Sequence, residues 1–307
     1  MFKTYIVNGR EYFVCDETKK DFPFPESLLR FLYLDSSQYD LLAHRMARSL
    51  EEYYPTRDEM HLNDVIKGLD TLAEEHIYFQ YLREEWRQKM EAARMCQPGE
   101  DFLSDLLPRK ELSRLHSEIS QIQKQIKAIC AAVLDKDNAQ QTLEEYYSSK
   151  SSSLLTYSFL PLKIDFTLTD EGVFADVLST NRFYELISFS LQECIKRGVQ
   201  MRVCKNCGRY FALSGKGTAE YCEITLDEKG RTCKETGAMK KYSVSKKDNP
   251  IFSEYRREYK RRFAWIKTGR IDSTVFYAWS AEARQKEAEC ERGQITFEEF
   301  KAWLARP

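Results

Sequence analysis

Near the N-terminus, apolar and polar residues alternate. The segments TYIV and EYFV flank Asn8-Gly9, and a two-residue period sets one side chain in two on the same face of a strand. Asn-Gly is the pair that best tolerates the positive φ angles of a type I′ turn. The chain therefore opens on a β-hairpin, which Pro23 and Pro25 break. Past them the period lengthens. PESLLRFLYL and SQYDLLAHRMARSLEEYY carry apolar residues three and four apart, and from about Arg57 to Met95 a single stripe runs through Leu62, Val65, Leu69, Leu72, Phe79, Trp86 and Met90. Such spacing is that of a helix with one buried side.

Pro98-Gly99 interrupts the pattern. Beyond it Leu112, Leu115, Ile119, Ile122, Ile126, Ile129 and Val133 form an a/d seam filled between by polar residues. Two long helices joined by a short break suggest an antiparallel helical hairpin within the chain. The same seam also suits a parallel zipper between two copies.

YYSSKSSSLL is serine-rich, and residues 146–153 are expected to link a helical N-terminal region (1–145) to the remainder of the chain. Residues 154–200 read as a second hairpin plus a helix. LKIDFTL and VFADVLS alternate around Asp170-Glu171-Gly172. The helix runs from about Asn181 to Arg197, capped by Ser179 or Thr180 and stopped by Gly198, with Phe183, Leu186, Ile187, Ser190, Leu191 and Cys194 on its packed side. VQMRV then leads as a short strand into the 201–268 segment. In the tail, 269–307, GRIDSTVFYAW and GQITFEEFKAW repeat a pattern at a spacing of 24 residues. Asp272 and Thr296 are N-cap candidates, so each copy is a turn entering a helix with its Phe and Trp inward, a pair of packing helices too short for a solenoid.

Composition narrows the class. With 42% hydrophobic, 13% aromatic and 31% charged residues over 307 positions, the chain is neither disordered nor starved of core. No apolar leader opens it and no run of about 18 apolar residues occurs, so a cytoplasmic protein is expected, without membrane contact. The net charge of −1 conceals a division. Residues 1–200 hold 24 Lys+Arg against 33 Asp+Glu, residues 201–270 hold 18 against 8, and residues 271–307 hold 5 against 7. An anionic partner would meet the middle segment.

That segment also holds four of the nine cysteines, in the spacing Cys204-x2-Cys207-x14-Cys222-x10-Cys233. A C-x2-C pair lets two thiolates reach one ion from a tight turn, and Gly208 permits that turn. Asp227-Glu228-Lys229-Gly230 reads as the turn that folds Cys222 and Cys233 back together. Four soft ligands suit one tetrahedral Zn2+, and a closed four-thiolate site holds the chain rather than reacting. All four histidines, His44, His61, His76 and His116, lie in the N-terminal half.

FSLQECIKRGVQMRVCKNCGRYFAL, a helix and strand entering C-x2-C-G-x-x-F, and then AEYC, resemble the CGNR-type treble-clef zinc fingers of bacterial transcriptional regulators. The likeness covers about Phe189 to Cys233 and implies ligand roles for Cys204, Cys207, Cys222 and Cys233. KETG follows Cys233 in place of Gly-Asn-Arg, and ten residues precede it. A related bacterial group with this longer spacing is the closer match.

Behind the cysteines, Asn249 and Pro250 begin a helix whose Phe252, Tyr255, Tyr259, Phe263 and Ile266 are expected to be buried. Arg256, Arg257, Lys260, Arg261 and Lys267 fall on its other side, with Lys240, Lys241, Lys246 and Lys247 upstream. Cations fixed on one rigid face suit phosphate contact, which makes Lys240, Lys241, Arg256, Arg257, Lys260 and Arg261 candidate nucleic-acid contacts. LSGKGTAE lacks phosphate-loop spacing and reads as the mobile tip of the zinc hairpin.

The fold class expected is α+β and predominantly helical, with an N-terminal β-hairpin and helical hairpin, then a four-cysteine, treble-clef-like zinc finger followed by helices. The function expected is DNA binding in regulation. The alternative is a zinc-stabilised protein adaptor, docking a partner or a second copy through the helical hairpin. No acid, base and nucleophile stand out as a catalytic set.

Overall fold

A computed structural model describes residues 2–15, 18–96, 103–139, 141–149, 156–214, 217–225, 230–237, 239 and 249–306. The chain is α+β and predominantly helical. It divides into two compact units, Met1–Cys204 with Gly208–Glu220, and Lys205–Cys207 with Tyr221–Pro307.

In the first unit β1 (Phe2–Val7) and β2 (Arg10–Cys15) form the expected hairpin, with Asn8 and Gly9 at φ 51° and 72°. β3 (Thr18–Pro23) continues it. Past the helices, β4 (Ile164–Leu168) and β5 (Phe174–Thr180) form the second hairpin. The two hairpins share one antiparallel sheet of order β3-β2-β1-β5-β4, joined where Phe2 lies opposite Thr180 and Thr4 opposite Leu178. Sequence placed a boundary at 146–153. Residues 150–153 lie outside the described residues, and the first unit includes chain on both sides of that stretch.

One face of the sheet meets helices. Phe2 and Phe13 pack into a core with Leu28 and Phe31 of α1 (Glu26–Phe31), Tyr78, Tyr81 and Trp86 of α4 (Ile77–Met95), and Phe183 and Ile187 of α8 (Phe183–Lys196). The 57–95 stripe is two helices rather than one. α3 (Glu59–Glu75) ends at His76, whose extended backbone breaks the run and whose Nδ1 accepts the Tyr78 N–H at 3.2 Å as the N-cap of α4. α4 then folds back along α3, so that Arg83 reaches Asp70 and Arg94 reaches Glu59. This pair is the helical hairpin. The a/d seam, on α6 (Arg109–Ile129), packs against α2 (Asp40–Thr56) instead of the 57–95 helices. Its Leu112, Leu115, Ile119, Ile126 and Ile129 are buried in the chain's own core, and Gln123 among them donates to the carbonyls of Phe31 and Leu34 at 2.7 and 3.0 Å. A π-helical turn, Cys130–Leu134, ends the seam, and a short helix, α7 (Leu143–Ser148), comes after it. Before α6 lies one further turn, α5 (Leu103–Leu106).

α8 ends as its glycine suggests. Gly198, at φ 58°, donates to Ile195 O, and Val199 N donates to Cys194 O, so a left-handed residue satisfies the last carbonyls.

In the second unit α10 (Pro250–Lys267), α11 (Ser273–Glu291) and α12 (Phe297–Leu304) surround Tyr255, Ala283, Cys290, Phe300 and Leu304. The repeat is legible in their ends. Gly269 and Gly293 stop α10 and α11 with the same pair of bonds as Gly198. Asp272 and Thr296 then cap α11 and α12, accepting from Thr274 N at 2.7 Å and Glu299 N at 3.2 Å. Phe276 and Phe300 are fully buried, while Trp279 and Trp303 are half-buried. Among the described residues, no helix is long and apolar enough to cross a membrane.

Candidate metal site

The cysteine set begins on a short hairpin, β6 (Met201–Val203) and β7 (Tyr210–Ala212), in which Val203 pairs with Tyr210. Beyond Val203 the chain turns tightly. Cys204 N donates to Arg209 O, and Gly208 N donates back to Cys204 O, both at 2.9 Å. Gly208 sits at φ 71° with open space around it, so glycine is needed there for its backbone angle, not for room. This turn presents Cys204 and Cys207.

The other two cysteines come from a second return. Thr225 and Thr232 form an antiparallel bridge, and Cys233 N donates to Ile224 O at 2.9 Å. Of the turn expected between them, Asp227, Glu228 and Lys229 lie outside the described residues, and Gly230 has φ 70°. Cys233 opens a helical turn, α9 (233–237). Thr232 and Glu235 cap it reciprocally: Glu235 N donates to Thr232 Oγ1 at 3.3 Å, and Glu235 Oε2 accepts from Thr232 N at 2.7 Å.

Together these turns bring the four sulfurs within 4.8 Å of one another. Cys207 Sγ and Cys222 Sγ are 3.7 Å apart, and none of the nine cysteines is in a disulfide. Four bonds of about 2.3 Å pointing to the corners of a tetrahedron would place sulfurs roughly 3.8 Å apart. The group could hold a metal ion. What it replaces is a core: among the described residues of 221–237, only Cys222, Cys233 and Gly237 are buried.

Polar contacts brace the site. Asn206, on the turn between the first two cysteines, donates to Cys233 Sγ at 3.3 Å and to Thr236 Oγ1 at 3.1 Å. The Tyr221 ring lies where a Cβ on Gly237 would stand, 2.3 Å from that point. The β6–β7 hairpin is tied down as well. Arg202 grips Asp137 through two bonds of 2.6 and 2.8 Å and donates to Ala219 O at 2.6 Å, Lys136 donates to Gly217 O at 3.2 Å, and the Tyr210 N–H donates to the Tyr33 hydroxyl at 2.7 Å. Gly215 and Lys216 lie outside the described residues. The residues after them, expected to be a mobile tip, are held by Lys136 and Arg202. Sequence reasoning missed these braces. T-C-K-E (232–235) carries the capping-box pattern and could have located α9, whereas nothing local marks Asn206 or Arg202.

The basic helix is arranged only partly as its pattern suggests. Arg256, Arg257, Lys260, Arg261 and Lys267 are exposed. Arg257 pairs with Glu254 and Arg261 with Glu258, while among the described residues Arg256 and Lys260 have no acidic partner. Lys240, Lys241, Lys246 and Lys247 lie outside the described residues. On the inner side Tyr255 is buried and Phe252, Tyr259 and Ile266 are half-buried, but Phe263 is 43% exposed. Glu258 and Arg262 are buried in its stead, bonded to each other at 3.1 Å. Their charge pattern reads as solvent-facing, and only the partner across the fold reveals them.

A second polar cluster lies in the first unit. Glu11, Ser27, His76, Tyr78 and Ser190 are buried together. The Glu11 carboxylate accepts from Ser27 N and Ser27 Oγ at 2.6 and 2.7 Å, and Tyr78 Oη donates to Ser190 Oγ at 2.8 Å. His76 has both ring nitrogens engaged by backbone. Nδ1 accepts from Tyr78 N, so Nε2 carries the hydrogen it directs at Ser27 O, 3.0 Å away. No imidazole nitrogen faces the Ser27 hydroxyl, and the cluster works as a packed network. Burial pushes the Glu11 carboxyl up to about 8, against the smaller opposing effect of the Ser27 donors, and burial pushes His76 down to about 4.

Fold and site thus define an α+β protein whose four converging cysteines could hold a metal. Residues 153–305 match the model of a family of unknown function (DUF6076), a span that includes β4, β5, α8, all four cysteines and the three tail helices. No curated protein and no solved structure matches the chain.

Proposed function

We propose that Cys204, Cys207, Cys222 and Cys233 bind one Zn2+ as four thiolates in a treble-clef-like module, and that the basic helix α10 binds DNA in a regulatory role. The observation that carries the zinc reading is the 3.7 Å separation of Cys207 and Cys222 sulfurs inside a segment with no buried apolar side chain among its described residues. Four neutral thiols at such distances gain little from one another, whereas four thiolates around a divalent cation contribute on the order of 10 kcal/mol to folding. With every coordination position filled by sulfur, the ion has no place for a reacting water, and its role is to hold the chain.

The DNA reading rests on the exposed cations of α10. Arg256 and Lys260, without acidic partners among the described residues, and Lys267 on the same helix offer charge to phosphate, and Arg257 and Arg261 can exchange Glu254 and Glu258 for it. A gel-shift salt series on the zinc-loaded protein tests it. The expected result is binding at low salt that weakens steeply with ionic strength and is lost when Arg256, Arg257, Lys260 and Arg261 become Ala. Undiminished binding by that variant, or none by the parent, ends the reading. The pairing of two of those four arginines and lysines with glutamates favours a second reading, a zinc-stabilised adaptor that docks protein instead, for which a stoichiometric protein partner insensitive to DNase is the signature.

A further inference from the structure

Strand β4 is one edge of the five-stranded sheet, and four of its five residues are exposed. The opposite edge, β3, is guarded in the usual way by charge: Lys19 pairs with Glu171 and Asp21 with Arg10. β4 carries a single charge, Asp165, and no ion pair involving it is formed among the described residues. Its Phe166 and Leu168 are 71% and 57% exposed, next to Phe174 at 60% on β5.

The register shows why these side chains are bare. Ile164 lies opposite Leu178, Phe166 opposite Asp176 and Leu168 opposite Phe174, so Ile164, Phe166, Leu168 and Phe174 share the face that meets the helices with one exposed carboxylate, Asp176, on β5. Near Ile164 that face is covered, with Leu178 and Ile6 packed on Phe189 of α8. Towards Leu168 the hairpin runs on beyond this cluster. Phe166 and Phe174 stack on each other across the strands, centroids 5.6 Å apart, which leaves their outer surfaces in water. An edge strand whose one charge, Asp165, lies on the face away from Phe166, next to an uncovered and largely apolar face, is a template for another strand.

We propose that β4 pairs antiparallel with β4 of a second copy of this chain, about a two-fold axis through Phe166. The strand, IDFTL, is complementary to itself in that register. Ile164 falls opposite Leu168 of the second copy, Asp165 opposite Thr167, and Phe166 opposite Phe166. Apolar residues face apolar, polar face polar, and no like charges stand directly opposite. A slip of one residue turns one copy's apolar set to the wrong side. A slip of two sets Asp165 against itself in one direction and Ile164 against Asp170 in the other. The remaining like-charge approach, Asp165 to Asp165, is diagonal at about 7–8 Å, close to the Debye length at physiological salt, so salt weakens it. The pairing joins two five-stranded sheets into one and brings Phe166, Leu168 and Phe174 of both copies into one apolar strip, bordered on β5 of each copy by Asp176.

Sedimentation equilibrium of the full zinc-loaded chain, at low and physiological salt, tests the pairing. The expected result is a dimer that tightens with salt and that Phe166→Asp weakens at least tenfold. Because Phe166 is largely exposed, the variant's circular dichroism and thermal unfolding should match the parent's. Register is read separately by peptide mapping after mild oxidation: Phe166→Cys should form an interchain disulfide through position 166, while Leu168→Cys should not link to itself. A monomeric parent, whether its edge stays vacant or takes an unrelated extended peptide, overturns the proposal. So does a dimer indifferent to Phe166→Asp, or equal self-linking at 166 and 168.

Discussion

The side-chain amide of Asn206 donates to Cys233 Sγ at 3.3 Å, crossing from the turn that presents the first two cysteines to the residue that supplies the fourth. Hydrogen bonds to a thiolate steady its charge and aim its lone pairs, and such supporting contacts commonly govern metal affinity by 10–100-fold. Asn206→Ala is accordingly expected to lower metal affinity by about tenfold or more, read by competition with a chromophoric chelator, while metal stoichiometry at saturation is unchanged. Affinity equal to the parent's would show that the amide has no part in holding the ion.

Gly237, on α9, lies against the Tyr221 ring, with ring carbons 2.3 and 2.4 Å from where a Cβ would sit. The ring belongs to the residue before Cys222, so any backbone shift that clears it acts next to a sulfur. Gly237→Ala is predicted to destabilise the metal-loaded segment by about 1–3 kcal/mol, as overpacking does elsewhere. Amide exchange over 221–237 measures it: faster exchange there, with α3 and α4 unaffected, is the expected pattern.

Much of this architecture is legible in local sequence. Asn8-Gly9 fixes a turn, Gly198 stops a helix, Asn249, Asp272 and Thr296 begin helices, and the cysteine spacing places four sulfurs together. Each is a rule about neighbours in the chain. The pairing of β1 with β5 joins Phe2 to Thr180 across most of the first unit, and no periodicity announces it, so a serine-rich stretch reads as a boundary between segments that share a sheet. The break at His76 fails to register because the apolar stripe continues across it in phase. Glu258 and Arg262 read as surface charges because their burial depends on α12, forty residues away in sequence.

That pair makes its own prediction. Arg262 bonds Glu258 at 3.1 Å, donates to the carbonyls of Leu304 and Arg306 at the end of α12, and lies over the Trp279 ring at 4.6 Å. Replacing Arg262 alone with Met leaves the buried Glu258 carboxylate to the more exposed Arg261 and strips the Leu304 and Arg306 carbonyls of a donor, a loss of at most about 3–5 kcal/mol in comparable sites. Changing Glu258 to Leu as well should recover a good part of it. A double-mutant cycle by denaturant unfolding checks this, and strictly additive losses would contradict it.

The buried network around Ser27 predicts how stability responds to pH. Glu11 has a folded pKa of about 8, above its ordinary value, so the folded state holds its proton longer and stability falls as pH rises toward 8. His76, held near 4 and neutral, acts in the opposite sense, losing stability as pH falls from its ordinary 6.5 through 4. Between about 4.5 and 6.5 the two slopes oppose each other, and above that range Glu11 acts alone. Stability should therefore decline from pH 6.5 to 8 by at most about 1.4 kcal/mol per unit, and Glu11→Gln should flatten the decline. A parent whose stability is level across this window would show that Glu11 is already ionised in the fold.

Everything assigned to the cysteine set depends on one ion being there. Elemental analysis of the freshly purified, fully reduced chain, together with Cys222→Ser, measures this directly. The account predicts one zinc per chain in the parent, lost on chelation together with amide protection across 221–237, and much less than one in the variant. Parent protein with far less than one zinc and an intact, protected 221–237 segment would contradict it.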